Sequence, residues 1–210
     1  DNKSEKGVVK HIYFVRHGES GANSKKLHQA PDEPLSEKGR EQAKILAGRM
    51  AKIPVDVVIS STMYRAEVTA GAISEVINKN IETSDLFREI RRPSFLVGRS
   101  YDDPDVLEAS KIADSPEAGE EYLHSDEESL RDIKKRATEA LDYLGKRPEQ
   151  NILVVTHGMF LRVLLAMMLL GEGISKSAFV HFRSHLRTSN TGVTYCRYSE
   201  DSGWVLVTWN

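Results

Sequence analysis

The segment Tyr13 to Ser20, YFVRHGES, decides the fold. From Val9 to Val15 the chain is β-branched and aromatic and the run stops at Gly18, which predicts a strand that delivers Arg16 and His17 at its carboxyl end. After the loop through Pro31 and Pro34, Ser36 is a candidate N-cap. Ala43, Leu46, Ala47 and Met50 then recur at i, i+3, i+4 and i+7, one face of an amphipathic helix. Val55 to Ile59 is a continuous apolar run of buried-strand type, leading through Ser60, Ser61 and Thr62 into a helix whose inner face is Ala66, Ala70, Ile73 and Ile77.

From about 86 to 125 periodicity is lost and Pro93, Gly98, Pro104, Pro116 and Gly119 intervene, so an irregular excursion over the active site is expected, with a short helix near Val106. Leu130, Ile133, Ala137, Leu141 and Leu144 restore helical spacing, Asn151 to Val155 gives another buried strand, and Met159 to Leu170 another helix. The tail reads as strands over Ala178 to Arg183, Val193 to Tyr198 and Trp204 to Trp209. The pattern predicts one domain over residues 1–210: a three-layer αβα sandwich with a largely parallel sheet and at least one antiparallel edge strand.

Composition narrows the function classes. With 29 basic and 31 acidic side chains and a formal net charge of -2, the chain lacks the broad positive surface that nucleic acid binding requires, so no nucleic acid partner is expected and any phosphate binding is local. The apolar run Phe160 to Leu170 is too short for a bilayer and reads as a buried helix, so no membrane partner is expected either. A single cysteine, Cys196, offers neither a disulfide nor a zinc spacing, and the polar start Asp1 to Lys10 has no apolar signal-peptide core. The expectation is cytoplasmic, with room for an upstream segment removed from a chain that does not start with Met. No oligomeric state is read from the sequence.

In a sheet of this kind ligands collect beyond the carboxyl ends of the strands. Three chemically useful clusters stand there: Arg16, His17 and Gly18; Arg65 in SSTMYRAEVTA; and Thr156, His157 and Gly158 in VVTHGMF. Guanidinium forks match phosphate oxygens, and a transferring phosphoryl group spreads its charge over three oxygens, so two arginines and a second imidazole suit it. Arg65 gains from its place in the first turn of a helix, where backbone N–H groups favour an anion. His17 is the natural nucleophile, because adjacent arginines disfavour its protonated form. The leaving oxygen needs a proton and water must later be activated, which points to a carboxyl group; Glu89 in DLFREI is the choice, with Glu19 and Glu120 as other carboxylates within reach.

These blocks, in this order, resemble the histidine phosphatase superfamily, the phosphoglycerate mutase-like family. The likeness runs from about Ile12 to Leu170 and is carried by RHGE at Arg16 to Glu19, Asn23, the RAxxTA block from Arg65 to Ala70, Glu89, and THG at Thr156 to Gly158. The resemblance implies that His17 is phosphorylated, that Arg16, Arg65 and His157 grip the phosphate, that Asn23 adds a hydrogen bond, that Glu89 is general acid and base, and that neither metal nor cofactor is needed. The implied partner is a phosphorylated substrate, a small molecule or a protein. LHQAPDEPLSEKG (27–39) lacks the tryptophan usual in mutases, and IRRPSFLVGRSYDDP (90–104) replaces the Trp-Glu-Gly type of element. These departures favour a phosphatase over a mutase-type phosphotransferase. A non-catalytic phosphate-binding module is the competing class.

Arg88, Arg91, Arg92 and Arg99 form a basic group in the excursion, with Arg91 and Arg92 as candidate substrate-binding residues; the alternative is a solvated face that partners Asp102 and Asp103. His181 and His185 stand four apart, but a strand running into a loop does not present them as helical metal ligands. Gly171 and Gly173 are a lone G-x-G without nucleotide-binding context, and there is no G-x-S-x-G element.

Overall fold

The computed structural model describes residues 8–210; Asp1 to Gly7 of the polar start lie outside the described residues. In chain order the elements are β1 (Lys10–Arg16), α1 (Gly21–Ser24), α2 (Glu37–Met50), β2 (Val57–Ser60), α3 (Tyr64–Ile77), β3 (Ile81–Thr83), α4 (Pro104–Asp114), α5 (Leu130–Lys146), β4 (Asn151–Thr156), α6 (Gly158–Leu170), α7 (Lys176–His185), β5 (Val193–Ser199) and β6 (Gly203–Thr208). The strands form one sheet in the order β3-β2-β4-β1-β5-β6. β3, β2, β4 and β1 are mutually parallel, and β5 runs antiparallel to both β1 and β6.

Alternation along the strands divides the core in two. Ile12, Phe14, Val57, Ile59, Ile152 and Val154 face α5 and α6, with Phe179 of α7 at the edge. Val15, Val58, Leu153 and Val155 face α2 and α3 through Leu46, Ala47, Met50, Ala66, Ala70 and Ile73. This is the three-layer α/β arrangement the sequence predicts, and β5 with β6 supplies the antiparallel part. Ser36 caps α2 by accepting from Gly39 N at 3.0 Å. No helix among the described residues is long and apolar enough to cross a membrane. Burial in the hydrophobic core pushes the Cys196 thiol up to about 12, away from reactivity.

One element departs from the sequence expectation. Ala178 to Arg183 is not a strand but the middle of α7. Ser175 accepts from Ala178 N at 3.3 Å as its N-cap, and Phe179 packs into the core with Phe182 and Leu186 beside it, the i, i+3, i+7 period of a helix. His181 and His185 are therefore one turn apart on a helix, with ring centroids 4.3 Å apart. The four-residue α1 and three-residue β3 were too short to give a periodic signal. Within the excursion, α4 covers Val106 as expected, flanked by 3-10 turns at Asp85–Phe87, Ser94–Leu96 and Pro116–Ala118.

Candidate active site

β1, β2 and β4 end side by side, so Arg16 and His17, Ser60 and Ser61, and Thr156 and His157 meet at one edge of the sheet. The turn after β1 is held against the start of α2 with no room for side chains: a Cβ on Gly18 would lie 2.5 Å from the Gly39 carbonyl oxygen, and one on Gly39 would lie 1.9 Å from that of Glu19. Thr69 of α3 accepts from Gly18 N at 3.1 Å and donates to the Arg65 carbonyl at 2.7 Å, which ties the first turns of α3 to this loop.

His17 is 1% exposed. Its Nδ1 donates to the Gly18 carbonyl at 2.7 Å, which leaves the lone pair on Nε2, and Arg65 Nε donates to that Nε2 at 3.2 Å. Burial, then the Arg65 and Arg16 guanidiniums, hold the imidazole well below its ordinary range, against a smaller opposing effect of the Gly18 bond. His157, with its ring 5.0 Å from that of His17 and tilted by 56°, is pushed down in the same way by burial and then by His17, Arg65 and Arg16. Its Nε2 pairs with Ser61 Oγ at 2.8 Å, and its Nδ1 is buried without a partner.

Arg65 stands in the first turn of α3, and its Nη1 donates to the Ala30 carbonyl at 3.0 Å. Arg16 Nη1 donates to the Thr188 carbonyl at 2.6 Å, while its Nε is buried and unpaired. Asn23 closes a capping box with Ser20 and accepts from Asn190 Nδ2 at 3.3 Å. Glu89 reaches across from the excursion to the N-terminus of α6: Oε2 accepts from Met159 N at 3.1 Å and Oε1 from Phe160 N at 2.8 Å. Arg16, Asn23, Arg65, Glu89, Arg91 and Arg92 all line one cleft of about 1170 Å³, and His17 and His157 lie buried at the same strand ends.

The other carboxylates are occupied. Glu19 lines the cleft but pairs with Lys38 at 3.0 Å and accepts from Ser36 Oγ at 3.2 Å. Glu120 is outside the cleft, paired with Lys134 at 3.1 Å. The basic group divides: Arg99 is bound to Asp103 and Asp105, each at 2.7 Å, which is the surface-pairing alternative, and Arg88 pairs with Glu128 at 3.5 Å. Arg91 and Arg92 face the cleft. Sequence reasoning missed Ser61, Thr188 and Asn190, and also Arg162, Arg183 and Arg187 on the cleft wall. A signal existed for Arg162, the single charged residue in GMFLRVLLAMMLL, and none for the loop residues.

Buried imidazoles, guanidiniums and a carboxylate on a helix N-terminus collect at the ends of a parallel sheet, a set of donors whose chemistry matches the oxygens of a phosphate group. The chain belongs to the histidine phosphatase superfamily (branch 1), whose family model matches residues 12–210. It is 29% identical over 189 residues to a putative phosphoserine phosphatase 2 of Hydrogenobacter thermophilus, covering 89% of this chain and 88% of that protein. It is likewise 29% identical over 201 residues to a probable phosphoglycerate mutase GpmB of Yersinia pestis, covering 93% and 90%. Among solved structures, a mycobacterial glucosyl-3-phosphoglycerate phosphatase complexed with VO3 shares the fold with a TM-score of 0.78 at 22% identity, over 96% of this chain and 99% of that one.

Proposed function

We propose that this chain is a metal-independent phosphatase that hydrolyses phosphate monoesters through a phosphohistidine on His17. The observation that carries the reading is the His17 Nε2 lone pair, buried, unprotonated and facing the Arg65 guanidinium at 3.2 Å. In the first step Nε2 attacks phosphorus, the bond to the ester oxygen breaks, and Glu89 gives that oxygen its proton. Arg65 turns from Nε2 to the phosphoryl oxygens as the lone pair is used. Arg16 and His157 complete the grip, with Asn23 adding a hydrogen bond. In the second step Glu89 takes a proton from water, the water oxygen attacks phosphorus, and the N–P bond breaks to release inorganic phosphate and neutral His17. The burial of both histidines beside a cleft that the excursion helps to wall supports a small organic phosphate over a bulky partner.

The test is incubation with a 32P-labelled ester, followed by denaturing quench and peptide mapping. An acid-labile, base-stable label on His17 with release of free phosphate is expected. Label that returns to an acceptor ester without free phosphate would make the chain a mutase-type phosphotransferase. No label and no turnover would leave a phosphate-binding module.

A further inference from the structure

Eight arginines and seven carboxylates line the cleft, and several of the arginines gather on one wall. Besides Arg16 and Arg65, its wall carries Arg92 from the excursion, Arg162 on α6, Arg183 on α7 and Arg187 just beyond it. Asp114 of α4 is bonded to Arg183, so that cation is matched. The other three have no bonded carboxylate, although Glu89 and Asp114 also face Arg92. Among the described residues the guanidiniums of Arg92 and Arg187 make no hydrogen bond or ion pair. Arg162 makes one long bond, Nη1 to the Arg183 carbonyl at 3.4 Å, and its Nε is buried with no partner.

Arg162 is the single charged residue of a helix whose other positions build the core. A half-buried guanidinium there forgoes the hydration and salt-bridging that an exposed arginine finds. Burial lowers Arg162 and Arg92 from the ordinary guanidinium range. Glu89 opposes the shift at both, with Tyr101 and Asp114 helping it at Arg92, while neighbouring cations add to it: Arg16, Arg183 and Arg187 at Arg162, and Arg183 at Arg92. Glu89, the one carboxylate facing both groups of arginines, is already held by two N–H groups of α6. Like charges gathered on one wall repel, and the matching chemistry is an anion that all of them face.

We infer that Arg92, Arg162 and Arg187 form a second anion site in this cleft, and that the substrate carries a carboxylate or a second phosphate besides the transferred phosphoryl group. The inference rests on the reading of Arg16, His17, Arg65 and His157 as the phosphoryl site. α6 links the two: Arg16 lies against its first residue, with Nε 3.1 Å from where a Cβ on Gly158 would stand, and Arg162 follows one helical turn later, about 6 Å along the axis. Two anion sites that close together fit a small molecule bearing both groups.

The test compares kcat/KM for matched esters: 3-phosphoglycerate against glycerol 1-phosphate, which lacks the carboxylate, and fructose 1,6-bisphosphate against fructose 6-phosphate, which lacks the second phosphate. One doubly anionic member is expected to be favoured by about tenfold to a hundredfold, the worth of charge-assisted hydrogen bonds to a guanidinium. Whichever pair shows the preference identifies the group. Arg187→Gln, at an exposed position, should reduce that ratio several-fold, and Arg162→Gln with Arg187→Gln should bring it near one, with melting temperatures confirming that both variants fold. Ratios near one in the unaltered chain, or ratios that the variants leave unchanged, overturn the second site while leaving the phosphatase reading intact. If no ester is turned over, calorimetric titration of the same four compounds decides: a preference for a doubly anionic compound that is lost in Arg187→Gln supports the site, and equal binding overturns it.

Discussion

Arg136 and Glu128 are joined by two hydrogen bonds, Nε to Oε1 at 2.9 Å and Nη2 to Oε2 at 3.0 Å, and this buried pair grips the backbone on both sides of Glu89. Arg136 Nη1 donates to the carbonyls of Leu86 at 3.1 Å and Arg88 at 2.9 Å, and Glu128 Oε2 accepts from Arg91 N at 2.7 Å. The Arg136 guanidinium also lies 4.1 Å over the ring of Phe160, whose N–H holds the Glu89 carboxylate. Arg136→Met removes the two-bond partner of the buried Glu128 and leaves it one ion pair, the longer Arg88 contact at 3.5 Å, so it should cost about 3–5 kcal/mol. Arg136→Met with Glu128→Leu should recover much of that stability, because the buried carboxylate goes with its partner and Arg88, which it also pairs, is partly open to water. It should not recover kcat, since the carbonyls that set the path of the Glu89 segment still lack their donor. Urea unfolding and steady-state kinetics on the two variants check both halves; a double variant with normal kcat would confine the pair to a structural role.

That clamp was not legible in the sequence, whereas the site it serves largely was. The runs at β1, β2 and β4 carry buried-strand character in consecutive residues, and Arg16, His17, Arg65 and His157 follow directly from where those runs stop. Glu128 and Arg136 lie eight positions apart and meet Glu89 only because α5 packs beside the excursion, a relation no periodicity encodes. The same holds for Thr188 and Asn190, brought to Arg16 and His17 by the return of the chain before β5. The α7 error had a local cause. Ala178 to Arg183 alternates like a strand, and the Ser175 cap that outweighs this alternation lies just upstream.

Arg65→Ala should weaken phosphate or vanadate binding and the rate together, since one guanidinium serves both the bound phosphate and the transition state. A loss in kcat/KM of about a hundredfold to a thousandfold is expected, the scale for removing one oxyanion donor. Arg65→Lys should recover little of it, because a point charge replaces a fork that also bonds Ala30. Unchanged affinity and rate would remove Arg65 from the site.

Acid should unfold the protein through its histidines. His17 and His157 sit well below their ordinary value when folded, and burial, then Arg92, pushes His28 down to about 4. Below about pH 6.5 the unfolded chain therefore takes up more protons than the folded one. The contribution of these groups is complete above that pH and is lost as pH falls towards 4. Urea midpoints between pH 7 and pH 4.5 should fall more steeply for the unaltered chain than for His28→Leu. Parallel pH profiles would show that His28 contributes nothing to the slope.

Glu89→Gln separates the two chemical steps. It keeps the shape of the side chain and deletes the proton that a general acid must donate and later recover. The substitution also turns one acceptor of the α6 N–H groups into a donor, facing either Met159 N or Phe160 N, so a stability loss of about 1–3 kcal/mol is expected and melting must be measured alongside kinetics. With a poor leaving group, protonation is needed as the ester bond breaks, and kcat/KM should fall on the order of a hundredfold to ten-thousandfold. With an activated aryl phosphate the leaving oxygen departs without a proton and the first step should be nearly normal. Hydrolysis of the phosphohistidine still needs a carboxylate to take the proton from water, so the intermediate should accumulate and a burst of phenolate should precede slow turnover. Stopped-flow absorbance with quench-flow trapping of the label reads both quantities. Equal losses on good and poor leaving groups, with neither burst nor trapped phosphoenzyme, would take the role from Glu89 and pass it to Glu19, the other acidic candidate that lines the cleft.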